Sequence, residues 1–285
     1  MKKRLGPVWV MAEQRGCEVE TVSLQLLGKA RRLADELGVA CESVILGHNL
    51  GEAARRLIAG GADRVFVGDA PHLALYQSLP YRDILCALVE EHKPEILLLG
   101  STFLGRELAP LAAARLKTGL AAHCTGLRHD KDGNLEQQIP AYGGLMSIVC
   151  PNRRPQMATV AKGVFKAAEP DENRKGEIVP VRVPGETELG VRTLEIVQEA
   201  PPEIELEEAD VVVCGGAGAG SAEGWEIVRE LAVALGAALG CTRPVVDEGW
   251  APLDAMIGQS GKMVSPRVYI GVGLSGEQQH MVGVV

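Results

Sequence analysis

The sequence has no apolar run that approaches the roughly 18 residues needed to span a membrane. It also has no signal-peptide core, because the basic residues 1–4 are followed only by the short apolar run Val8–Ala12. We therefore expect a cytoplasmic protein with no integral membrane segment.

Paired cysteines and clustered positive charge are missing as well. The seven cysteines stand singly, without a C-x-x-C pair, which argues against a disulfide framework or a zinc site and favours small apolar fillers in a reducing compartment. The formal net charge is −8 and the basic residues are scattered, so nucleic acid is not the expected partner. With 285 residues, of which 46% are hydrophobic, the chain is long enough for two domains with proper cores.

The first 120 residues alternate short apolar runs with amphipathic stretches. Continuous apolar strands separated by helices are typical of a parallel sheet covered on both faces. The pattern predicts strands at residues 8–12, 43–47, 64–67 and 95–100, and helices at residues 22–37, 50–58 and 81–91.

Beyond residue 120 the pattern becomes less regular. Residues 120–127, 145–150 and 193–197 resemble strands, and residues 168–184 are interpreted as a surface excursion. The basic loop 151–157 contains Arg153 and Arg154, which could hold an anion, although pinning the protein's own loops or a partner subunit is the favoured interpretation. The acidic, proline-bearing segment 198–210 is the best domain boundary, and we predict domains at residues 1–203 and 204–285.

Two turns follow predicted strands in the position of a ligand crevice. Residues 100–110 include Ser101 and Thr102, but no G-K-[ST] closes the loop and a structural turn is favoured. In the second domain, strand 211–214 leads into G-G-A-G-A-G at residues 215–220 and a predicted helix at 224–239. Ser221 and Glu223 stand where the third glycine of G-x-G-x-x-G would be, which disfavours an ordinary NAD-binding domain.

Residues 240–280 bring three polar turns close together in sequence. They are T-R-P at 242–244, G-Q-S-G-K at 258–262, and G-L-S-G at 273–276, which leads to Gln279 and His280. Such turns offer backbone N–H groups, hydroxyls and a cation, which suits a phosphate-bearing ring cofactor. Ordinary turns of an α/β domain are the alternative.

The chain resembles the α subunit of electron transfer flavoprotein over nearly its whole length. The resemblance rests on PEILLLGSTFLGRELAPLAAARLKTGLAAHCTGL (94–127) and PNRRPQMATVAKGVF (151–165), and on GCTR (240–243), VDEG (246–249), GQSGK (258–262) and GLSGEQQH (273–280). It implies two doubly wound, mainly parallel α/β domains. The first would be a nucleotide-hydrolase-like Rossmannoid domain that packs with a β subunit, and the second a Rossmann-like domain that binds FAD.

The resemblance also assigns residues to the cofactor. It implies that Arg243 lies against the isoalloxazine ring as a fixed cation, that the hydroxyl of Ser260, where the family usually has Thr, reaches the N5 region, and that His280 donates at the pyrimidine edge near O2. Lys262 is expected to be structural. The predicted FAD-binding residues are Thr242, Arg243, Ile257, Gly258, Gln259, Ser260, Ser275, Gly276, Glu277, Gln278, Gln279 and His280.

Two departures from the family pattern lead to further expectations. Ala217 stands where the family usually has Arg, so one cation is missing, although the backbone amides of residues 216–218 could still face the pyrophosphate. The family continues a few dozen residues beyond the point that matches Val285, with the residues for the adenosine half of FAD. We therefore expect these 285 residues alone to bind FAD far more weakly than a chain with that segment.

The function implied by the resemblance is that of an electron carrier rather than a stand-alone enzyme. In this role the FAD of an αβ heterodimer accepts electrons from partner dehydrogenases, such as acyl-CoA dehydrogenases, and passes them to an oxidoreductase or a quinone reductase. One alternative is a subunit of a flavin-bifurcating complex, which couples NADH oxidation to reduction of ferredoxin and of an acyl-CoA-type substrate. Another, from a different class, is a nucleotide-binding regulatory module without a redox role.

Overall fold

The computed structural model describes residues 5–141, 144–185 and 205–285. The described residues up to 185 form one compact unit, and those from 205 form a second. The predicted domain boundary at 203/204 and the predicted strand at 193–197 lie outside the described residues and remain predictions.

The strands of the first unit are β1 (Val8–Ala12), β2 (Gln14–Arg15), β3 (Glu18–Val19), β4 (Cys41–Gly47), β5 (Arg64–Asp69), β6 (Ile96–Gly100), β7 (Leu120–Cys124), β8 (Gly126–His129), β9 (Leu135–Ala141), β10 (Gly144–Val149), β11 (Gln156–Val160) and β12 (Glu177–Pro180). Seven of them form a sheet with the order β12-β5-β4-β1-β6-β11-β7, in which every neighbouring pair is parallel. Strands β8, β9 and β10 form a separate antiparallel sheet.

Helices cover both faces of the large sheet. They are α1 (Thr21–Leu37), α2 (Gly51–Ala59), α3 (Ser78–His92) and α4 (Phe103–Leu116). Val8 and Val10 of β1 share a buried cluster with α1 and α2, whereas Trp9 and Met11 share another with α3 and α4. Successive side chains of a strand point to opposite faces, so a strand buried on both sides is expected to be a nearly continuous apolar run. The predicted doubly wound α/β fold is confirmed.

Two predictions about strands in the first unit are wrong. Residues 120–127 are not one strand but β7 and the start of β8, which belong to different sheets. Within residues 168–184, which were interpreted as a surface excursion, Glu177–Pro180 is strand β12 and pairs in parallel with β5. This strand lies at the edge of the sheet and is mostly exposed, so it has no continuous apolar run that would reveal it in the sequence.

The predicted basic loop 151–157 ends earlier than expected, because Gln156 and Met157 begin strand β11, and its remaining residues are held by contacts within the first unit. The Arg154 guanidinium donates to the Glu95 carboxylate, to the Pro151 carbonyl at 2.8 Å and to Asn134 Oδ1 at 3.1 Å. Arg154 therefore pins the protein's own loops, which is one of the predicted roles, while Arg153 stays exposed.

The elements of the second unit are β13 (Val211–Gly215), α5 (Ala222–Leu235), β14 (Ala238–Cys241), α6 (Arg243–Asp247), β15 (Val268–Val272) and α7 (Gln278–Met281). Its strands form a three-stranded parallel sheet with the order β14-β13-β15. One face of this sheet packs on Trp225 and Val228 of helix α5, and the other on Leu206, Ile257 and Val264.

The predicted helix at 224–239 is too long at its C-terminal end. Helix α5 ends at Leu235, Gly236 takes a left-handed φ of 58°, and Ala238–Cys241 forms β14 beside β13. The run A-V-A-L-G-A-A-L has the composition of a helix throughout, and only Gly236 signals the break. As a consequence, Thr242 and Arg243 follow a strand rather than a helix.

The structure also decides how the turn at residues 100–110 is used. This turn lies where the strand order reverses, between β1 and β6, which is the usual ligand crevice of an open α/β sheet. Here the protein's own side chains fill the space. The Thr102 hydroxyl donates to the Glu13 carboxylate at 2.8 Å, and a Cβ built on Gly100 would lie 2.6 Å from Glu13 Oε1. These contacts fit the structural interpretation of the turn.

Glu13 makes the stability of the first unit depend on pH. Burial raises the pKa of its carboxyl to about 7 from the usual 4.5, against the opposing effect of the Thr102 hydrogen bond. The folded state binds this proton more tightly than the unfolded state. The contribution of the protonated Glu13 carboxyl to the free energy of unfolding is therefore complete below pH 4.5 and is lost as the pH rises towards 7.

We predict that Glu13→Gln stabilises the protein at high pH by up to roughly 3 kcal/mol, because the amide cannot ionise. Denaturant unfolding of both proteins at pH 4.5 and pH 8 measures this, and the two curves should coincide at the lower pH. The exposed Glu18→Gln is the matched control and should show no such divergence. If the free energies of unfolding of Glu13→Gln and of the original protein differ by the same amount at both pH values, the raised pKa of Glu13 is contradicted.

Candidate functional site

A cavity of about 490 Å³ lies at the carboxyl ends of the strands of the second unit. The loops after β13, β14 and β15 contribute to its wall, together with the segment 256–260 and the turn at 279–280. Eleven of the twelve predicted cofactor-binding residues line it: Thr242, Arg243, Ile257, Gly258, Gln259, Ser260, Ser275, Gly276, Glu277, Gln279 and His280. Gln278 is the exception and is an exposed residue of α7.

The loops after β13 and β15 cross in direct backbone contact. The Gly218 N–H donates to the Gly273 carbonyl at 2.8 Å, and the Gly216 N–H donates to the Val272 carbonyl at 2.9 Å. A Cβ on Gly218 would lie 2.7 Å from the Gly273 Cα, so the crossing requires glycine. The expectation that the amides of residues 216–218 face a pyrophosphate is therefore wrong for Gly216 and Gly218, whose N–H groups are bonded within the protein.

The loop after β15 instead presents backbone donors. Ser275, Gly276 and Glu277 are exposed along the cavity wall. Within residues 5–141, 144–185 and 205–285, no group accepts a hydrogen bond from their N–H groups. Three successive N–H groups on an exposed loop are suited to binding the oxygens of a ligand.

The segment that carries Gln259 and Ser260 is fixed from two sides. The Gln259 N–H donates to the Gln279 carbonyl at 2.7 Å, and the Ile257 N–H donates to the Cys241 carbonyl at 2.9 Å. Lys262 forms an ion pair of 3.5 Å with Glu207 and does not line the cavity, in agreement with its expected structural role. The Ser260 side chain remains exposed at the cavity wall.

His280 is almost fully buried, with 7% of its surface exposed, and both of its ring nitrogens are engaged. Nδ1 lies 2.9 Å from the Ile257 carbonyl oxygen, and Nε2 lies 2.6 Å from the Tyr269 hydroxyl. The resemblance predicts that His280 donates a hydrogen bond to the flavin. In this geometry the ring would have to give up one of its protein partners to do so.

Among the described residues that line the cavity, Arg243 is the one arginine or lysine. Its Nε donates to Asp247 Oδ1 at 2.7 Å, one turn further along α6, and this hydrogen bond raises the pKa of the guanidinium. The side chain is exposed, so the ion pair with Asp247 contributes little to stability and leaves the charge available to a ligand.

The two cysteines nearest the site are buried and chemically quiet. Burial raises the pKa of the Cys214 thiol to about 11 and that of Cys241 to about 12, so neither ionises near neutral pH. This agrees with the predicted role of the cysteines as apolar fillers, although Cys17 in the first unit is exposed.

Several residues at the site were not among the predicted ones. Met256 and Leu274 supply apolar wall, as does Pro244, and Gly218 and Gly273 form the loop crossing. Gly218 lies inside the glycine run 215–220, and Gly273 and Leu274 lie inside the motif 273–280, although none of the three was chosen as a cofactor residue. Pro244 and Met256 lie within two residues of a motif. Tyr269 had no such signal, because it is a strand residue and acts on the site only through His280.

Comparison with known proteins assigns a cofactor-binding domain to the part of the chain that contains the cavity. The sequence model described as the electron transfer flavoprotein domain matches residues 8–185, and the one described as the electron transfer flavoprotein FAD-binding domain matches residues 205–285. The chain is also 44% identical over 280 residues to the electron transfer flavoprotein subunit alpha of Thermoanaerobacterium thermosaccharolyticum, covering 97% of this chain and 85% of that protein. The chain belongs to the electron transfer flavoprotein α-subunit family.

Other relatives of this family are almost as similar. The electron transfer flavoprotein subunit alpha of Clostridium acetobutylicum is 41% identical, covering 97% of this chain and 84% of that protein. The acryloyl-CoA reductase electron transfer subunit beta of Anaerotignum propionicum is 36% identical, again covering 97% of this chain and 84% of that protein. As in the family, the cofactor of the second unit is FAD. No helix among the described residues is long and apolar enough to cross a membrane.

The residues of the cavity fit the flavin part of FAD. Its volume falls within the roughly 300–1,000 Å³ of small-molecule sites, and its wall combines apolar side chains with the backbone donors of residues 275–277. Gly218 and Gly273 line the cavity where the two loops cross, and a Cβ on either residue would collide with the backbone of the other loop. The position at the carboxyl ends of parallel strands is the one expected for a nucleotide cofactor.

We predict that Gly258→Ala weakens FAD binding on the order of tenfold or more. Gly258 has a φ of 141°, and a Cβ there would lie 2.6 Å from the Gln279 carbonyl oxygen, so the segment 256–260 would have to separate from the turn at 279–280. FAD affinity can be measured by quenching of flavin fluorescence. Gly236→Ala, with a φ of 58° and open space around the new Cβ, controls for backbone strain alone and should bind FAD normally. Equal affinity of both variants would contradict this account.

Proposed function

We propose that the protein is the FAD-bearing subunit of an electron carrier that takes electrons from partner dehydrogenases and passes them to an oxidoreductase or a quinone reductase. The observation that supports it most is the coincidence of the cavity with the family's FAD-binding domain and with eleven predicted cofactor residues. Bound FAD supplies the electron-carrying chemistry, and the polypeptide holds it and adjusts its potential. We also propose that the protein acts in the cytoplasm.

Each part of the cavity wall has a role in this proposal. The N–H groups of Ser275, Gly276 and Glu277 bind cofactor oxygens, because they have no acceptor among the described residues. Arg243 places a positive charge at the ring, which favours the reduced, more negative form. The exposed hydroxyl of Ser260 donates at the ring edge.

The test of this function is whether the flavin accepts electrons from a dehydrogenase. The complex of the chain with its β subunit should show the blue absorption band of a bound flavin. An acyl-CoA substrate with a catalytic amount of acyl-CoA dehydrogenase should bleach that band. A complex without the band would contradict the redox role and support the nucleotide-binding regulatory module. A band that no dehydrogenase bleaches would contradict the proposed electron donors.

Flavin bifurcation is a second candidate function. The name of one relative, acryloyl-CoA reductase electron transfer subunit, concerns reduction of an acyl-CoA-type substrate, which is one arm of the bifurcating reaction. An NADH titration of the same complex separates the candidates. Reduction of the flavin by NADH without any dehydrogenase supports bifurcation, whereas a requirement for the dehydrogenase supports the simple carrier.

We predict that Arg243→Gln lowers the midpoint potential of the bound FAD on the order of tens of millivolts, because it removes an exposed cation that water partly screens. Redox titration of the flavin band measures the shift. Arg229→Gln is a matched control, since Arg229 is also exposed and also pairs with a carboxylate on its own helix, but does not line the cavity. An unchanged potential for Arg243→Gln would show that the guanidinium does not face the ring.

We also propose that the first unit binds a β subunit through the sheet formed by β8, β9 and β10. Strand β10 is an edge strand whose Leu145 is 69% exposed, alongside the exposed Met146 and Val149. An apolar edge strand left uncovered promotes aggregation, so a permanent partner is the simplest explanation for it.

We predict that Leu145→Glu weakens binding of the β subunit by roughly tenfold or more without unfolding the chain, because the side chain is already exposed in the isolated subunit. Sedimentation of the mixed subunits measures the affinity. Ile227→Glu in the second unit is the control, with a similar exposure of 68%. Normal association of Leu145→Glu would exclude this sheet as the contact.

A further inference from the structure

The hydrogen bonds around His280 determine where its ring proton lies. A carbonyl oxygen can only accept, so the 2.9 Å contact with the Ile257 carbonyl requires a proton on Nδ1. In the neutral ring, Nε2 is then an acceptor. The Tyr269 hydroxyl, 2.6 Å away, must donate to it.

Tyr269 is the group best placed to be that donor. The Cys214 sulfur also approaches Nε2, but at 3.9 Å, and a thiol is a weak donor. Burial raises the pKa of the Tyr269 phenol well above its usual range, so its proton is present throughout the neutral pH range. Tyr269 does not itself line the cavity, whereas His280 does.

We propose that Tyr269 is a positioning residue of the cofactor site, which donates to Nε2 of the Nδ1–H tautomer of His280 and fixes the ring before the cofactor binds. The bonded series Tyr269–His280–Ile257 connects strand β15, helix α7 and the segment 256–260. The bond from the Gln259 N–H to the Gln279 carbonyl, 2.7 Å long, joins the same helix region to the same segment. Two walls of the cavity are thereby fixed relative to each other.

This arrangement has a consequence for the cofactor. A preorganised site binds more tightly, because the ordering cost is already met in the free protein. Loss of the Tyr269 hydroxyl should therefore lower FAD affinity even though Tyr269 does not line the cavity. The expected fall in FAD affinity rests on the proposed FAD site, whereas the tautomer of His280 does not.

The tautomer can be measured directly in the cofactor-free full chain. Long-range ¹H–¹⁵N NMR spectra of the protein labelled in histidine distinguish a protonated from an unprotonated ring nitrogen, and His280→Asn identifies the His280 signals among those of the six histidines. We expect a protonated Nδ1 and an unprotonated Nε2. A proton on Nε2 and none on Nδ1 would overturn the proposal, whatever the protein does with FAD.

Tyr269→Phe tests the role of the hydroxyl. We expect the His280 Nε2 signal to move, because its hydrogen bond is gone, and FAD affinity to fall by about 2- to 12-fold, the effect of one net hydrogen bond. Tyr81→Phe is the matched control. It removes a buried hydroxyl that donates to carbonyls of the first unit and should change neither the His280 signals nor FAD affinity.

A double-mutant cycle separates positioning from a general loss of stability. If Tyr269 acts through His280, Tyr269→Phe should have little further effect on FAD affinity once His280→Asn is present. If Tyr269→Phe lowers FAD affinity by the same factor with and without His280→Asn, the positioning role is overturned. An unmoved Nε2 signal in Tyr269→Phe would also overturn it, and would do so without any reference to the cofactor.

Discussion

The second unit depends on the close backbone crossing of the loops that follow β13 and β15. The bond from the Gly218 N–H to the Gly273 carbonyl, 2.8 Å long, forms only because neither loop carries a side chain at that point. The crossing fixes where the loop after β15 leaves the sheet, and so where the donors of residues 275–277 are placed. Substituting either glycine would affect the sheet end and the cofactor site together.

The two α/β units differ in what occupies the carboxyl ends of their strands. In the first unit, the side chains of Glu13 and Gln14 occupy the carboxyl ends of the central strands, against Gly100 and Gly47. In the second unit, glycines keep the equivalent edge open and a cavity results. Fold alone therefore does not identify a cofactor site, and the side chains at the strand ends decide which unit has one.

The sequence predicts the parts of the fold that depend on burial. Strands such as Ile96–Gly100 are apolar at every position because both faces are covered, and this is visible without a structure. Strand Glu177–Pro180 was missed because an exposed edge strand requires no apolar pattern. The end of α5 was misplaced because Gly236 was outweighed by helix-forming neighbours on both sides.

At the site, the family resemblance predicted residues that the structure brings together from three separate turns, such as Arg243, Ser260 and Ser275. Interactions that depend on how separate segments pack against each other could not be predicted in this way. The engagement of the Gly216 and Gly218 amides depends on how two loops cross, and the link from Tyr269 to His280 depends on which face of β15 the tyrosine occupies.

The most direct test of the account is amide hydrogen exchange of the full chain with and without FAD. If the cavity at the ends of β13, β14 and β15 holds the cofactor, FAD should slow exchange at Ser275, Gly276 and Glu277, whose N–H groups have no acceptor among the described residues of the free protein. Exchange at Glu13 and Ser101 should not change. Protection at the first unit's strand ends, with residues 275–277 unaffected, would contradict the central claim.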